Sequence, residues 1–197
     1  DFPAQVIKGA LQAGKHVVTA NKALLAEAGT ELFALAAQKG LSLGYEASVC
    51  GAIPIVQALR ESLAGNEVVN ITGILNGTSN YILSEMSTKG MPFDVALAEA
   101  QALGYAEAIP TLDIEGIDAA HKLTLLIRLA YGVDYPFAKL PVSGVKGMDP
   151  MDIAFAREFG YRIKLVGQAR NVNGRIEAGV FPTLVHHTQL MARVGGV

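Results

Sequence analysis

The segment Gly104–Lys122, GYAEAIPTLDIEGIDAAHK, gathers the side chains with the most capacity for chemistry in this chain. Glu107, Asp113, Glu115 and Asp118 precede Lys122, which stands at the entrance of an otherwise apolar run. Asp118 and Lys122 are four residues apart, so on a helix they share one face. An ordinary helix ion pair accounts for that spacing. Yet Leu123, Leu125, Leu126, Ile127 and Leu129 leave such a helix few positions facing water. The aspartate and the lysine are therefore candidates for a cleft rather than for open surface.

Other clusters carry weaker signals. Ligands of an open parallel sheet gather at the carboxyl ends of its strands. Thr19-Ala20-Asn21-Lys22 follows one predicted strand, and Glu46 follows the next. The plainer alternative makes Asn21 a helix cap and Lys22 a solvated charge. Glu46–Pro54, EASVCGAIP, is rich in small residues that bend tightly. Such a loop can turn several carbonyls toward one point, as hard cations prefer, although a tight connection without an ion is the commoner outcome. Cys50 stands just before a predicted helix, whose dipole can lower a thiol pKa, and a thiolate there could attack an aldehyde. A lone cysteine among small apolar residues is more often inert packing, and no histidine is near in sequence, so the inert reading is preferred. His186 and His187 are adjacent, which on a strand sends them to opposite faces; no ligand set with zinc spacing accompanies them.

The elements that position these residues change character along the chain. Residues 4–13 have helical spacing, 16–20 read as a buried strand, 24–39 as a helix and 41–45 as a second strand. Helices alternating with short strands predict a parallel α/β layer. Beyond it, 52–64 reads as a helix with Pro54 in its first turn, 67–75 as a strand, and Asn76-Gly77-Thr78 as a turn ending in a helix cap. Helices are predicted over 80–89, 93–103 and 116–131, with a loop over 105–114. Asp149-Pro150 opens another helix as N-cap and N1. Strands 162–169 and 175–181 form a hairpin around Asn173-Gly174. This larger part reads as α+β.

The bulk properties exclude several classes. A chain of 197 residues, 51% hydrophobic and 17% charged, can bury a sizeable core. Its net charge of −2, with both signs interspersed, predicts neither nucleic-acid nor membrane-surface binding. The longest apolar stretch, near Leu123–Tyr131, is interrupted by Arg128 and far too short to span a bilayer. One cysteine rules out an internal disulfide and points to a reducing compartment, the cytoplasm. The chain opens at Asp1 without a methionine and closes on Gly195-Gly196-Val197, so both ends are expected to be internal to a longer protein.

In order and spacing, these segments resemble the homoserine dehydrogenases. The match runs from Gly14-Lys15-His16-Val17-Val18-Thr19-Ala20-Asn21-Lys22 through the Glu46 loop and Gly73-Ile74-Leu75-Asn76-Gly77-Thr78-Ser79-Asn80-Tyr81-Ile82. It continues over Gly104–Lys122 and into Ala154-Arg157-Glu158-Gly160-Tyr161-Arg162-Ile163-Lys164. The resemblance implies the end of a dinucleotide-binding, Rossmann-like α/β domain over residues 1–46. An α+β catalytic and dimerisation domain then follows over 47–197. It implies reversible NAD- or NADP-dependent reduction of L-aspartate 4-semialdehyde to L-homoserine, in a homodimer. Lys122 matches the family's acid/base lysine and Asp118 its partner. Glu107 and Asp113 match acids that hold substrate or a catalytic water, and Lys22 matches a lysine near nicotinamide and substrate. Thr19 and Asn21 fall on the cofactor side with Lys22. Glu46, Val49, Gly51 and Ile53 match the positions of a sodium site, largely through backbone carbonyls.

Two departures accompany the match. Ile109 stands where the family usually has aspartate in a Glu-x-Asp-Pro loop, and no Gly-x-Gly-x-x-Gly opens a helix in this chain. Two other readings are a cysteine-dependent semialdehyde dehydrogenase acting through Cys50 and a non-catalytic fragment that self-associates through its sheet.

Overall fold

A computed structural model of the chain describes residues 2–196. They form two compact units, Asp1–Val69 with His121–Leu140, and Asn70–Ala120 with Pro141–Val197. Residues 47–69 thus pack with the segment that precedes them.

The first unit opens with α1 (Phe2–Gln12), β1 (Val17–Val18), α2 (Lys22–Gln38) and β2 (Leu43–Gly44). β1 and β2 pair in parallel, Val17 opposite Leu43 and Val18 opposite Gly44. Parallel neighbours require a crossover, and α2 supplies it, burying Leu24, Leu25, Leu32 and Ala36. The helix is kinked at Ala28 (φ −136°, ψ 15°), next to Gly29, a residue type at which helices readily bend. Both strands are shorter than the β-branched and apolar runs that predict them. A 3₁₀ turn over Glu46–Ser48 follows, then α3 (Ile55–Gln57), which widens into a π turn over Ala58–Ser62.

The helix predicted over 52–64 therefore starts later and is irregular. Pro54 is its N-cap rather than a first-turn residue. The reason is local: Cys50 and Gly51 both have φ near 58°, and this left-handed turn takes up the preceding residues. Cys50 accordingly does not sit at a helix N-terminus, and the dipole-activated thiol loses its structural basis.

The second unit contains β3 (Asn70–Gly73), α4 (Gly77–Lys89), α5 (Phe93–Ala102), α6 (Thr111–Ile114), the start of α7 (Ile117–Tyr131), α8 (Pro150–Glu158), β4 (Tyr161–Val172) and β5 (Arg175–His186). Its sheet runs β3-β4-β5, antiparallel throughout. Asn173 and Gly174 turn the β4–β5 hairpin with φ of 52° and 84°, the left-handed geometry that two-residue hairpins demand. Each strand of the hairpin reaches twelve residues, beyond the apolar core of its pattern. α4 and α8 pack on β4; Ile82, Leu83 and Met86 of α4, Ile153 of α8, and Leu165 and Val166 of β4 are all buried. Helices layered on an antiparallel sheet make this part α+β.

Asp149 caps α8 by accepting the Met151 N–H at 2.8 Å, with Pro150 in the first turn, as the sequence predicts. Two local expectations are corrected. α4 begins at Gly77 because Asn76, not Thr78, is the capping residue. The expected loop over 105–114 ends in α6, a single turn too short to show periodicity. Among the described residues, no helix is long and apolar enough to cross a membrane.

A strap over residues 141–146 fixes the turn between α6 and α7. Val180 donates its N–H to the Pro141 carbonyl at 3.0 Å and accepts from Ser143 at 2.8 Å. The N–H groups of Val145 and Lys146 both reach the Ile114 carbonyl, at 2.7 and 3.2 Å. Gly144 lies so close to this turn that a Cβ would stand 2.1 Å from the Ile114 oxygen and 2.4 Å from the Glu115 Cα.

Lys164 on β4 is only 4% exposed. Its ammonium donates to Asn80 Oδ1 at 2.9 Å, Ser84 Oγ at 3.2 Å and the Val194 carbonyl, and Asn80 Nδ2 in turn holds the Gly196 carbonyl at 2.9 Å. These acceptors are all neutral, so burial dominates and lowers the pKa from 10.5 to about 8, with the Arg162 charge adding to the effect. Because the folded pKa is the lower one, the unfolded chain binds the extra proton between about pH 8 and 10.5. Stability should rise with pH across that window, by on the order of 3 kcal/mol in total. Denaturation midpoints of the parent chain and of Lys164→Met at pH 8 and 10 isolate this contribution. A difference between the two proteins that does not change with pH would exclude it.

Candidate active site

The polar centre of the second unit is built on the start of α4. Asn76 Oδ1 accepts the Ser79 N–H at 2.8 Å, an N-cap bond. Its Nδ2 donates both protons to carboxylates, to Asp113 Oδ1 at 2.7 Å and to Asp118 Oδ2 at 2.9 Å. Ser79, fully buried, donates its hydroxyl to the Asp113 carbonyl at 2.8 Å. Asp113 lies in the single turn of α6 and Asp118 in the first turn of α7, with Gly116 between them at φ 81°. The chain thus turns sharply enough to bring two carboxylates to one carboxamide.

Around this centre the acidic residues separate into groups. Thr78 Oγ donates to the Tyr105 carbonyl at 2.6 Å, and Gln101 Nε2 to the Glu107 carbonyl at 3.0 Å, so the 105–108 backbone is held while the Glu107 side chain is exposed. Ile109 projects outward, 79% exposed, and contributes no core packing there. Glu115 makes a surface ion pair with Lys146 at 3.2 Å. Lys122, one helical turn beyond Asp118 on α7, is half-buried. Next to it, His121 is buried against Phe137, with Nε2 at 2.8 Å from Glu27 Oε1.

In the first unit, the carboxyl end of β1 leads into Thr19, Asn21 and Lys22. Thr19 Oγ1 accepts the Asn21 N–H at 3.1 Å, and Asn21 Oδ1 accepts the Leu24 N–H at 3.1 Å. Asn21 therefore caps α2, and a ligand here would meet backbone and the half-exposed Lys22. The Thr19 carbonyl accepts from Ser48 Oγ at 3.2 Å, joining this turn to the Glu46 loop. A parallel pair with such a carboxyl end suits one end of a dinucleotide, whereas no glycine-rich turn for its pyrophosphate is among these residues.

The Glu46 carboxylate is turned to α3, accepting Val56 N–H at 2.9 Å and Gln57 N–H at 2.8 Å. The Ile53 carbonyl accepts Ile55 N–H at 2.8 Å. Each of these oxygens keeps a second lone pair, so the loop fits a cation only alongside its structural bonds. Among the described residues, no group of three or more His, Cys, Asp or Glu is placed to hold a metal ion.

Sequence reasoning misses Asn76, whose partners lie 37 and 42 residues away. The one available signal is Asn76-Gly77-Thr78-Ser79, read only as a turn. It also places His186 and His187 on opposite faces. Instead β5 ends at His186, and the two rings pack at 4.4 Å between centroids.

Comparison with known proteins matches two consecutive stretches of the chain. The pattern "Homoserine dehydrogenase" matches residues 54–197, and "Homoserine dehydrogenase, NAD binding domain" matches 2–46. A homoserine dehydrogenase of Neisseria gonorrhoeae is 51% identical over 98% of this chain and 44% of its own length. One from Pseudomonas aeruginosa is 50% identical with the same coverage. The crystal structure of a Thiobacillus denitrificans homoserine dehydrogenase superposes with a TM-score of 0.95 at 51% identity, over 98% of this chain and 45% of that one. The chain spans less than half the length of these relatives.

Proposed function

This chain belongs to the homoserine dehydrogenase family, and from that membership we propose that the full-length protein carrying it is a cytoplasmic oxidoreductase. It interconverts L-aspartate 4-semialdehyde and L-homoserine with NAD or NADP. The main support in the fold is the pair of carboxylates, Asp113 and Asp118, gathered by Asn76 where the lysine-bearing helix begins.

A nicotinamide cofactor, when bound, would supply the hydride chemistry. The chain's own residues manage charge and protons. Lys122 donates from Nζ to the aldehyde oxygen as negative charge develops there, and in the opposite direction takes the hydroxyl proton. Asp118, one turn earlier, orients that ammonium. Glu107 and Asp113 hold the substrate ammonium. Lys22, with the backbone of Thr19 and Asn21, lines the nicotinamide side. A sodium ion would take the carbonyls of Val49, Gly51 and Ile53 together with Glu46, whose carboxylate also caps α3.

One preparation tests the set. Purified full-length protein with L-homoserine should reduce NAD or NADP, followed by absorbance of the reduced nicotinamide. No turnover with either, in folded protein, would reject the reading. Replacing sodium by tetramethylammonium should slow the same assay, and an unchanged rate would remove the cation. Size exclusion should give twice the chain mass for the homodimer, for which the exposed Phe181 and Leu184 on β5 are suitable contact residues; an active monomer would reject it.

A further inference from the structure

We infer that Asn76 is a positioning residue of the reaction proposed above, on which this inference rests: its carboxamide fixes the Asp113 and Asp118 carboxylates relative to each other. The orientation of the amide follows from its partners. A backbone N–H can only donate, so the Ser79 N–H at 2.8 Å requires Oδ1 on that side. Nδ2 is then left facing Asp113 Oδ1 at 2.7 Å and Asp118 Oδ2 at 2.9 Å, and ionised carboxylates only accept. Both amide protons are used, in bonds that charge strengthens.

Helix capping alone does not select asparagine here. Serine, threonine and aspartate cap comparably, but only asparagine combines a capping acceptor with a two-proton donor. Asn76 is 4% and Asp118 7% exposed, so water is a poor substitute for that donor. Two carboxylates brought this close repel, and the shared donor offsets the repulsion while setting where each oxygen points. The Ser79 hydroxyl on the Asp113 carbonyl fixes the backbone of the same residue. Asn76 touches neither cofactor nor substrate in this account; it acts through the two aspartates.

The test uses Asn76→Asp in the full-length protein, a near-isosteric change that keeps the cap and replaces the donor by a third carboxylate. At mildly alkaline pH, kcat/KM for homoserine should fall about 10- to 100-fold, the worth of a hydrogen bond to a charged group, with KM for the nicotinamide unchanged. A second arm is independent of activity. The unfolding temperature should drop in Asn76→Asp and recover in Asn76→Asp with Asp113→Asn, which returns a carboxamide to the other side of the same bond. A parent enzyme inactive on homoserine would overturn the proposed reaction, while the unfolding arm would still judge the Asn76 contacts. An unfolding temperature unmoved by Asn76→Asp, or not restored by the swap, overturns the inference, as does unchanged kcat/KM in an active enzyme.

Discussion

Replacing Lys122 with alanine in the full-length protein should lower turnover about 10²- to 10⁴-fold, the usual contribution of a general acid–base group, and change cofactor affinity little. In the proposed reaction its hydrogen bond to the reacting oxygen would strengthen as the alkoxide forms, so the loss would fall mainly on the transition state. Lys122 lies on the one helix whose first turn holds Asp118, and Asp118 is itself tied to Asn76 at 2.9 Å. This anchoring is what a proton-transferring group needs from its neighbours. Arginine should not rescue activity, since a guanidinium keeps the charge and does not readily release a proton. Steady-state rates of both variants, with circular dichroism to verify folding, decide the matter. Near-normal turnover in Lys122→Ala would leave Lys122 as an ordinary charge on a helix.

The largest expected effect on stability comes from a residue without a side chain. Gly144→Ala should cost about 3 kcal/mol or more, as severe overpacking does. The new methyl would meet the Ile114 oxygen at 2.1 Å and the Glu115 Cα at 2.4 Å. Both are backbone atoms that cannot swing aside, and the Ile114 carbonyl already receives two N–H groups from the strap. Relief would require the strap to lift from the turn that separates Asp113 from Asp118. Gly65→Ala is the matched control, because nothing stands within 4 Å of a Cβ there. Urea midpoints should separate the two variants clearly. Equal midpoints would mean that the strap yields without resistance.

Several elements are legible from short-range chemistry. Asp149-Pro150 announces α8 and Asn173-Gly174 turns the hairpin, since both signals act within a few residues. The parallel β1–β2 pair follows from the alternation of helix and strand. What the sequence conceals depends on distant partners. Asn76 looks like a turn residue until residues 113 and 118 fold back to it. Lys164 sits in a strand pattern that gives no sign of its neutral acceptors on α4 and near residue 194. Glu46 attracts attention as a cation ligand, whereas its nearest need is the start of a three-residue helix. Periodicity reports which face is apolar; it does not report which polar groups meet.

The grip of Asn80 on the Gly196 carbonyl spans 116 positions of the chain. During translation, α4 leaves the ribosome well before that carbonyl exists. At ordinary elongation speeds the delay is on the order of ten seconds. Until then Asn80, and Lys164 once it has been made, must stay hydrated or borrow transient partners, and the polar end of the sheet around β4 cannot close. Chaperones that meet the nascent chain would find this end of the sheet open until residue 196 has emerged, and no shorter nascent chain can complete it.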